Sequence, residues 1–587
     1  MTVSIRSVVA TAFVLSLGVA AGPAGAQEDN EPLVIIPLGE PDNARSGSVT
    51  AESGSELEVE VLESVNAGAA GTLNADDGLG ADLWRGSNAR AVALLVPRIE
   101  SGTGSQVMTD LARRLLLTSG ALPLGDIGDF LGARTDRLIA IGRQDDVAGL
   151  VDSAGQRAMT PAAYQSEVEL LLLRGDNDAA CQVAQNALAT GTDDGTAMTL
   201  VFCQRLAGQN AAADLGLAVL EDTGAQLDDR FMALDHGLAS GQAVSLDSLA
   251  GADPLLFAMT LATGTTLDPA LLDDAPAPIM RAAAMLDALP FETRLVAAER
   301  AVAAGTMDGA TLGRLYSAAS FNEEQIVNAL SRADQTTGPL GRALLFQAAQ
   351  RQTLPAAKAE ALSSLLRHAA RDDGQLGFLA ASRGIAPDVI GIVAGSEVAW
   401  FSGDASMALL AAGEPEAAAR WWPLLEDRAR NDQVAAAQAA ALWPIFRLAF
   451  GEQLADDGSR MATWRDARAR IAPERLPEQT ELFLALMAAL DDRAAESLTV
   501  DALAAPATTQ ATAQQTSNAG ERVALAAAAR DGRVGDAVLL SLVLLGSDGP
   551  AGADPIVLGE VIEVLRAIDL GREARLLAME AAFANAI

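Results

Sequence analysis

The chain has 587 residues, of which 77 are acidic and 41 basic, for a formal net charge of −36. Half of the residues are apolar, which excludes disorder throughout. One small domain is excluded by length, since a single core rarely exceeds about 250–300 residues. The charge argues against a nucleic-acid binder, which needs clustered positive groups, and against attraction to an anionic membrane.

Residues 1–26 read as a secretory signal peptide. Arg6 is the positive start, Val8 to Ala20 is the apolar stretch, and Ala24-Gly25-Ala26 is a small-x-small cleavage site before Gln27. No cysteine follows that site, so a lipid anchor is not expected. No later segment approaches about 18 uninterrupted apolar residues, the strongest being Ala537 to Leu545. A protein without membrane insertion after cleavage is expected, in the periplasm or secreted. Forty arginines against the single Lys358, with abundant alanine, resemble the coding bias of a GC-rich bacterium and favour the periplasm.

Residues 27–82 carry thirteen acids against one base, Arg45, and read as an acidic, largely disordered leader. Leu33–Ile36 and the alternating Glu56–Val61 are its two candidate extended pieces. From Leu83 the period becomes helical. Ser105 is a candidate N-cap for a helix with Val107, Leu111 and Leu115 on one face. Thr160-Pro161 is an N-cap followed by proline at the first helical position, and Gly175 ends the helix that follows.

Gly175, Gly208 and Gly241 are spaced 33 residues apart, each followed by a polar residue and then alanine. Gly413-Glu414-Pro415 and Gly571-Arg572-Glu573 repeat the theme. A left-handed glycine, a polar helix start and small alanines describe the tight turn of a helical hairpin. On these residues the chain resembles tetratricopeptide-type repeats, whose helix-turn-helix unit is about 34 residues long. The best matches are Leu170–Leu188, Leu206–Leu220 and Leu409–Leu425; the period is lost through 245–400. Leu83-Trp84-Arg85-Gly86-Ser87, with Leu111–Leu117, is similar to exported helical-repeat proteins of Gram-negative bacteria, a likeness that implies no activity. The expected fold is all-α: an irregular α-solenoid of tetratricopeptide-like hairpins over 83–503, a flexible loop over 504–520, and closing helices over 521–587.

Cys181 and Cys203 lie almost equidistant from a turn near Thr192-Asp193, so antiparallel helices would bring them together. In an oxidising compartment a disulfide is expected; the alternative is two buried thiols. Trp400, Trp421, Trp422, Trp443 and Trp464 recur at roughly 21-residue intervals, one indole position per helix. They either pack between layers or line a groove, with Arg420, Trp421 and Trp422 as the candidate partner-binding residues.

Six aspartate pairs, Asp76-Asp77, Asp145-Asp146, Asp193-Asp194, Asp228-Asp229, Asp372-Asp373 and Asp456-Asp457, suit solvated helix ends better than a glycosidase cleft. Asn74–Gly78 comes near a calcium loop without matching it. His236 and His368 lack H-E-x-x-H spacing, Lys358 follows no P-loop, and neither a G-x-S-x-G elbow nor an S-x-x-K set occurs. Each histidine is expected at a surface or helix end. Catalytic, metal and cofactor residues are therefore expected to be none. The reading is an exported, non-catalytic scaffold of the cell envelope for a basic or amphipathic protein or peptide. Alternatives are a structural or assembly subunit of an envelope machine, or a cell-wall lytic enzyme with a superhelical domain. The last is disfavoured because only 67 residues follow the 504–520 loop.

Overall fold

The computed structural model describes residues 67–155, 160–188, 193–332, 335, 337–454, 459–495 and 518–587. Among these the chain is all-helical and has no strand. The signal peptide, residues 27–66 of the expected leader, Asp456-Asp457 and 504–517 lie outside the described residues.

Much of the acidic excess is spent on starting helices. Asp129, Asp176, Asp193, Asp228, Asp253 and Asp308 are N-caps whose carboxylates accept backbone N–H groups of the first turn. Ser105 and Thr160 do the same for the Gln106–Leu117 and Pro161–Leu173 helices. Each such cap contributes about 1 kcal/mol, and a carboxylate also meets the positive end of the helix dipole. Asp145 and Asp146 lie in the first turn of Gln144–Ala154. Asp372 and Asp373 depart from this pattern: they end a helical run, and Asp372 instead accepts from Gly338 N–H (3.0 Å), at the start of another helix.

The glycine turns hold where two helices follow closely. Gly175 (φ 74°) joins Pro161–Leu173 to Asn177–Ala187, and Gly208 (φ 69°) joins Asp194–Leu206 to Asn210–Thr223. Both pairs pack side by side. Gly241 caps Asp229–Ser240, but irregular backbone follows until Pro254–Ala262, so these two helices pack together without a tight turn between them. At the last expected turn Asp569, not Gly571, is left-handed, and Gly571 opens the Gly571–Ala584 helix.

Cys181 and Cys203 form a disulfide between the Asn177–Ala187 and Asp194–Leu206 helices. Non-reducing peptide mapping should recover the linked pair. Replacing both cysteines with alanine should cost roughly 3 kcal/mol by loop-closure entropy. Two freely alkylated thiols would contradict the pairing.

Residues 245–400, where the period fades, also form paired helices, including Ala277–Met285 with Phe291–Ala303 and Gly338–Arg351 with Pro355–Ile390. Their faces lack contrast: in Pro254–Ala262 every residue from Pro254 to Thr260 is buried, which erases the amphipathic signal. The Pro355–Ile390 run breaks at Gly374 (φ 60°, ψ −137°). The bend is so tight that a Cβ on Gly377 would lie 2.6 Å from the Ala369 carbonyl oxygen.

The end of the expected leader is built into the body. Leu73 N–H donates to Leu117 O (3.1 Å), and Ser119 N–H donates to Leu73 O (3.0 Å). Buried Arg134 donates to the carbonyls of Gly68, Ala70 and Leu116. Residues 67–82 thus satisfy backbone groups that would otherwise be orphaned beside the Gln106–Leu117 helix.

The closing helices are Ala519–Arg530, Val534–Leu545, Pro555–Ala567 and Gly571–Ala584, and of these Val534–Leu545 and Gly571–Ala584 pack back onto the N-terminal helices. Gly535 N–H donates to Leu83 O (2.9 Å), and a Cβ on Gly535 would meet both Leu83 O and the Trp84 ring at 2.6 Å. The Leu83-Trp84 motif therefore seats the C-terminal region against Phe130, whose ring is 6.0 Å from that of Trp84. The most membrane-like stretch is not Ala537–Leu545 but Gln433–Gln453, the one helix among the described residues long and apolar enough to span. Half of it is buried, and it carries Pro444 and a buried Arg447 paired with Asp492 at 2.6 and 2.7 Å, features of a core helix.

A half-buried carboxylate sets a pH dependence. Glu169 on Pro161–Leu173 is pushed up to about 7, first by burial and then by the charges of Asp136, Asp253 and Asp193; a hydrogen bond from Gln165 (3.0 Å) opposes this. A raised carboxylate stabilises the fold below its unfolded value near 4.5, and that contribution is lost as pH rises through about 7. Glu169→Gln should therefore raise the melting temperature at pH 8, by about 1–3 kcal/mol of stability, and change it little at pH 4. Equal effects at both pH values would contradict this.

Candidate functional site

The residues singled out as a binding groove are not one. Trp421 is 0% exposed, with its ring 5.7 Å from Phe401 and perpendicular to it. Trp422 is buried against Phe446 at 4.4 Å, with the Arg460 guanidinium 5.8 Å from its ring. Trp443 and Trp464 both pack on Phe483. The indole N–H groups of Trp422, Trp443 and Trp464 have no hydrogen-bond partner among the described residues, so these rings fill space rather than present donors. Arg420 is exposed, and its Nε reaches only the Ala417 carbonyl at 3.4 Å. The regular spacing is the spacing of core layers, one inward indole position per helix. Trp400 alone of this set remains partly exposed, at 43%.

His236 is exposed on its helix as expected, but His368 is not at a surface or helix end. It is buried within Pro355–Ile390, with Nδ1 3.1 Å from Arg371 Nη2. Lys358 pairs with Asp388 at 2.7 Å. In the near-calcium loop the Asn74 side chain is occupied by the N–H groups of Asp76 and Asp77. No group of three or more histidine, cysteine or acidic side chains suited to a metal occurs among the described residues.

The concave feature lies elsewhere. A cavity of about 980 Å³ opens where the first, middle and last parts of the described chain meet. One wall is the start of Gln106–Leu117. Its first N–H groups, on Gln106 and Val107, donate to Glu580 at 2.8 and 3.3 Å, and the Ser105 hydroxyl donates to the same carboxylate. A side chain of the last helix thus caps the second described α-helix, where the dipole favours negative charge. Burial pushes Glu580 upward, opposed by the positive charge of Arg383 and by these hydrogen bonds.

Arg383 closes the floor. It donates to the carbonyls of Val302 (2.7 Å) and Ala303 (3.1 Å), at the end of Phe291–Ala303, and to Gly104 (3.1 Å). Burial pushes it down to about 10. Behind the next wall, Arg342 grips Glu299 with two donors and reaches Asp373 at 2.6 Å, while the Tyr316 hydroxyl donates to Glu299 at 2.5 Å.

The lining is apolar over much of its area, with Met280, Val296, Leu376, Phe378, Leu576 and Phe583 contributing. Seven carboxylates line it against three guanidiniums, those of Arg300, Arg383 and Arg572. Asp273 is paired with Arg300, Glu299 and Asp373 with Arg342, and Glu573 with Arg114 at 2.6 Å. Asp110 is 52% exposed and only 3.7 Å from Arg114, and Glu414 has no ion pair among the described residues. The lining holds no histidine, cysteine, lysine or tyrosine. No local pattern could have exposed this site, since Gln106 and Glu580 are 474 residues apart.

No protein-family model, curated protein or solved structure matches the chain.

Proposed function

We propose that this chain is an exported, non-catalytic interaction scaffold of the cell envelope. In this reading it is an irregular α-solenoid of tetratricopeptide-like hairpins, wound so that its last helices meet its first, and it holds a partner's basic or amphipathic segment. The observation that carries the reading is the apolar cavity with an excess of carboxylates, assembled from both ends and the middle of the described chain. Stacked helical pairs suit such extended recognition, and a pocket of this size is typical of a binding site.

The test is co-purification from native envelopes with the wild type and with Ala412→Trp, which would fill the cavity. A partner retained at about 0.15 M salt and lost with the variant supports the scaffold; screening weakens only the long-range part of the attraction. Equal recovery with both proteins, or release of soluble wall fragments by the purified chain, would contradict it.

A further inference from the structure

The cavity has an internal asymmetry that bears on its ligand. Gln106 and Asp110 are one turn apart on the same helix, so their side chains leave from one face. The position that a Cβ on Gly413 would take is 3.7 Å from Gln106 Oε1, which brings the following Glu414 to the same wall. This wall therefore offers Glu414, which has no ion pair among the described residues, the 52% exposed Asp110, which is paired to Arg114 at 3.7 Å, and an amide oxygen. Leu376, 65% exposed, lines the same cavity with Phe378, Leu576 and Phe583. Two of the three cavity arginines are committed: Arg300 to Asp273 and the Pro269 carbonyl, and Arg383 to backbone carbonyls. Arg572 is exposed and is the remaining positive group.

Resting on the scaffold reading, we infer that the cavity takes a basic, amphipathic peptide segment of a partner protein. A lysine or arginine of that segment sits between Asp110 and Glu414 with the Gln106 amide oxygen as a further acceptor, and its apolar side chains cover Leu376, Phe378 and Phe583. Charge complementarity selects this occupant. The chain's own residues 27–66 carry ten acids against one base, and a second copy brings a charge of −36, so both are repelled. An anionic ligand would meet the same excess of carboxylates.

The experiment measures fluorescence anisotropy at 0.15 M salt on the full exported chain. The probe is a labelled twelve-residue Leu/Lys peptide with apolar residues at helical spacing; Leu/Glu and Ser/Lys peptides are the comparisons. The Leu/Lys peptide should bind and the other two should not. Asp110→Asn combined with Glu414→Gln should weaken binding about tenfold, since each exposed pair is worth a few-fold. Leu376→Ser should weaken it several-fold. Asp178→Asn combined with Asp222→Asn, the same charge change outside the cavity, should leave it within about twofold. Loss with Ala412→Trp but not with the Asp110/Glu414 variant would overturn the cation seat and leave the scaffold reading standing. Binding indifferent to Ala412→Trp would overturn the cavity as the docking site. Failure of the Leu/Lys peptide to bind, or equal binding of the Leu/Glu peptide, would overturn the inference.

Discussion

Arg342→Met is expected to destabilise the protein by about 3–5 kcal/mol, the usual cost of leaving a buried charge without its partner. Arg342 is wholly buried and holds both oxygens of Glu299, which is itself almost inaccessible. Tyr316 supplies one further hydrogen bond, which cannot replace a guanidinium. The same substitution releases Asp373, so the tight bend at Gly374 loses a tether. Pairing it with Glu299→Leu should restore much of the stability, because removing both charges removes the desolvation penalty. Denaturant unfolding of the three variants checks this. A single variant as stable as the wild type, or a double variant no better than the single, would contradict it.

Trp421→Ala should also cost about 3–5 kcal/mol, since it leaves a cavity the size of an indole against Phe401. The effect should fall on stability alone. At a temperature where the variant is still folded, binding of the Leu/Lys peptide should match that of the wild type. Trp421→Phe should recover part of the loss. A binding defect with an unchanged melting temperature would return the tryptophans to a groove and contradict their placement in the core.

The contrast between these residues and the cavity shows what was legible in the sequence. The caps made by Ser105 and Thr160 and the turns at Gly175 and Gly208 involve groups within a few residues, so these roles are written locally. Cys181 and Cys203 were readable because one turn separates their helices. The indole repeat marked one position per helix but not which way it faced, because core layers and grooves share one period. Pro254–Ala262 and its neighbours are buried on all sides, so they carry no stripe to read. Gly374 and Gly377 bend the chain within a stretch whose composition is otherwise helical. The cavity depends on Ser105 meeting Glu580 and Gly104 meeting Arg383, contacts set by how successive pairs stack over hundreds of residues.

The central claim is that a partner segment sits in this cavity. Site-specific photo-crosslinking in native envelopes addresses it directly, with the reactive side chain placed at Leu376 inside the cavity or at Leu215 outside it, both exposed. Crosslinks are expected from position 376 to a segment rich in lysine or arginine and apolar residues, abolished by Ala412→Trp, and none to that segment from position 215. Crosslinks to the same segment from both positions, or an acidic or wholly polar segment at 376, would contradict it.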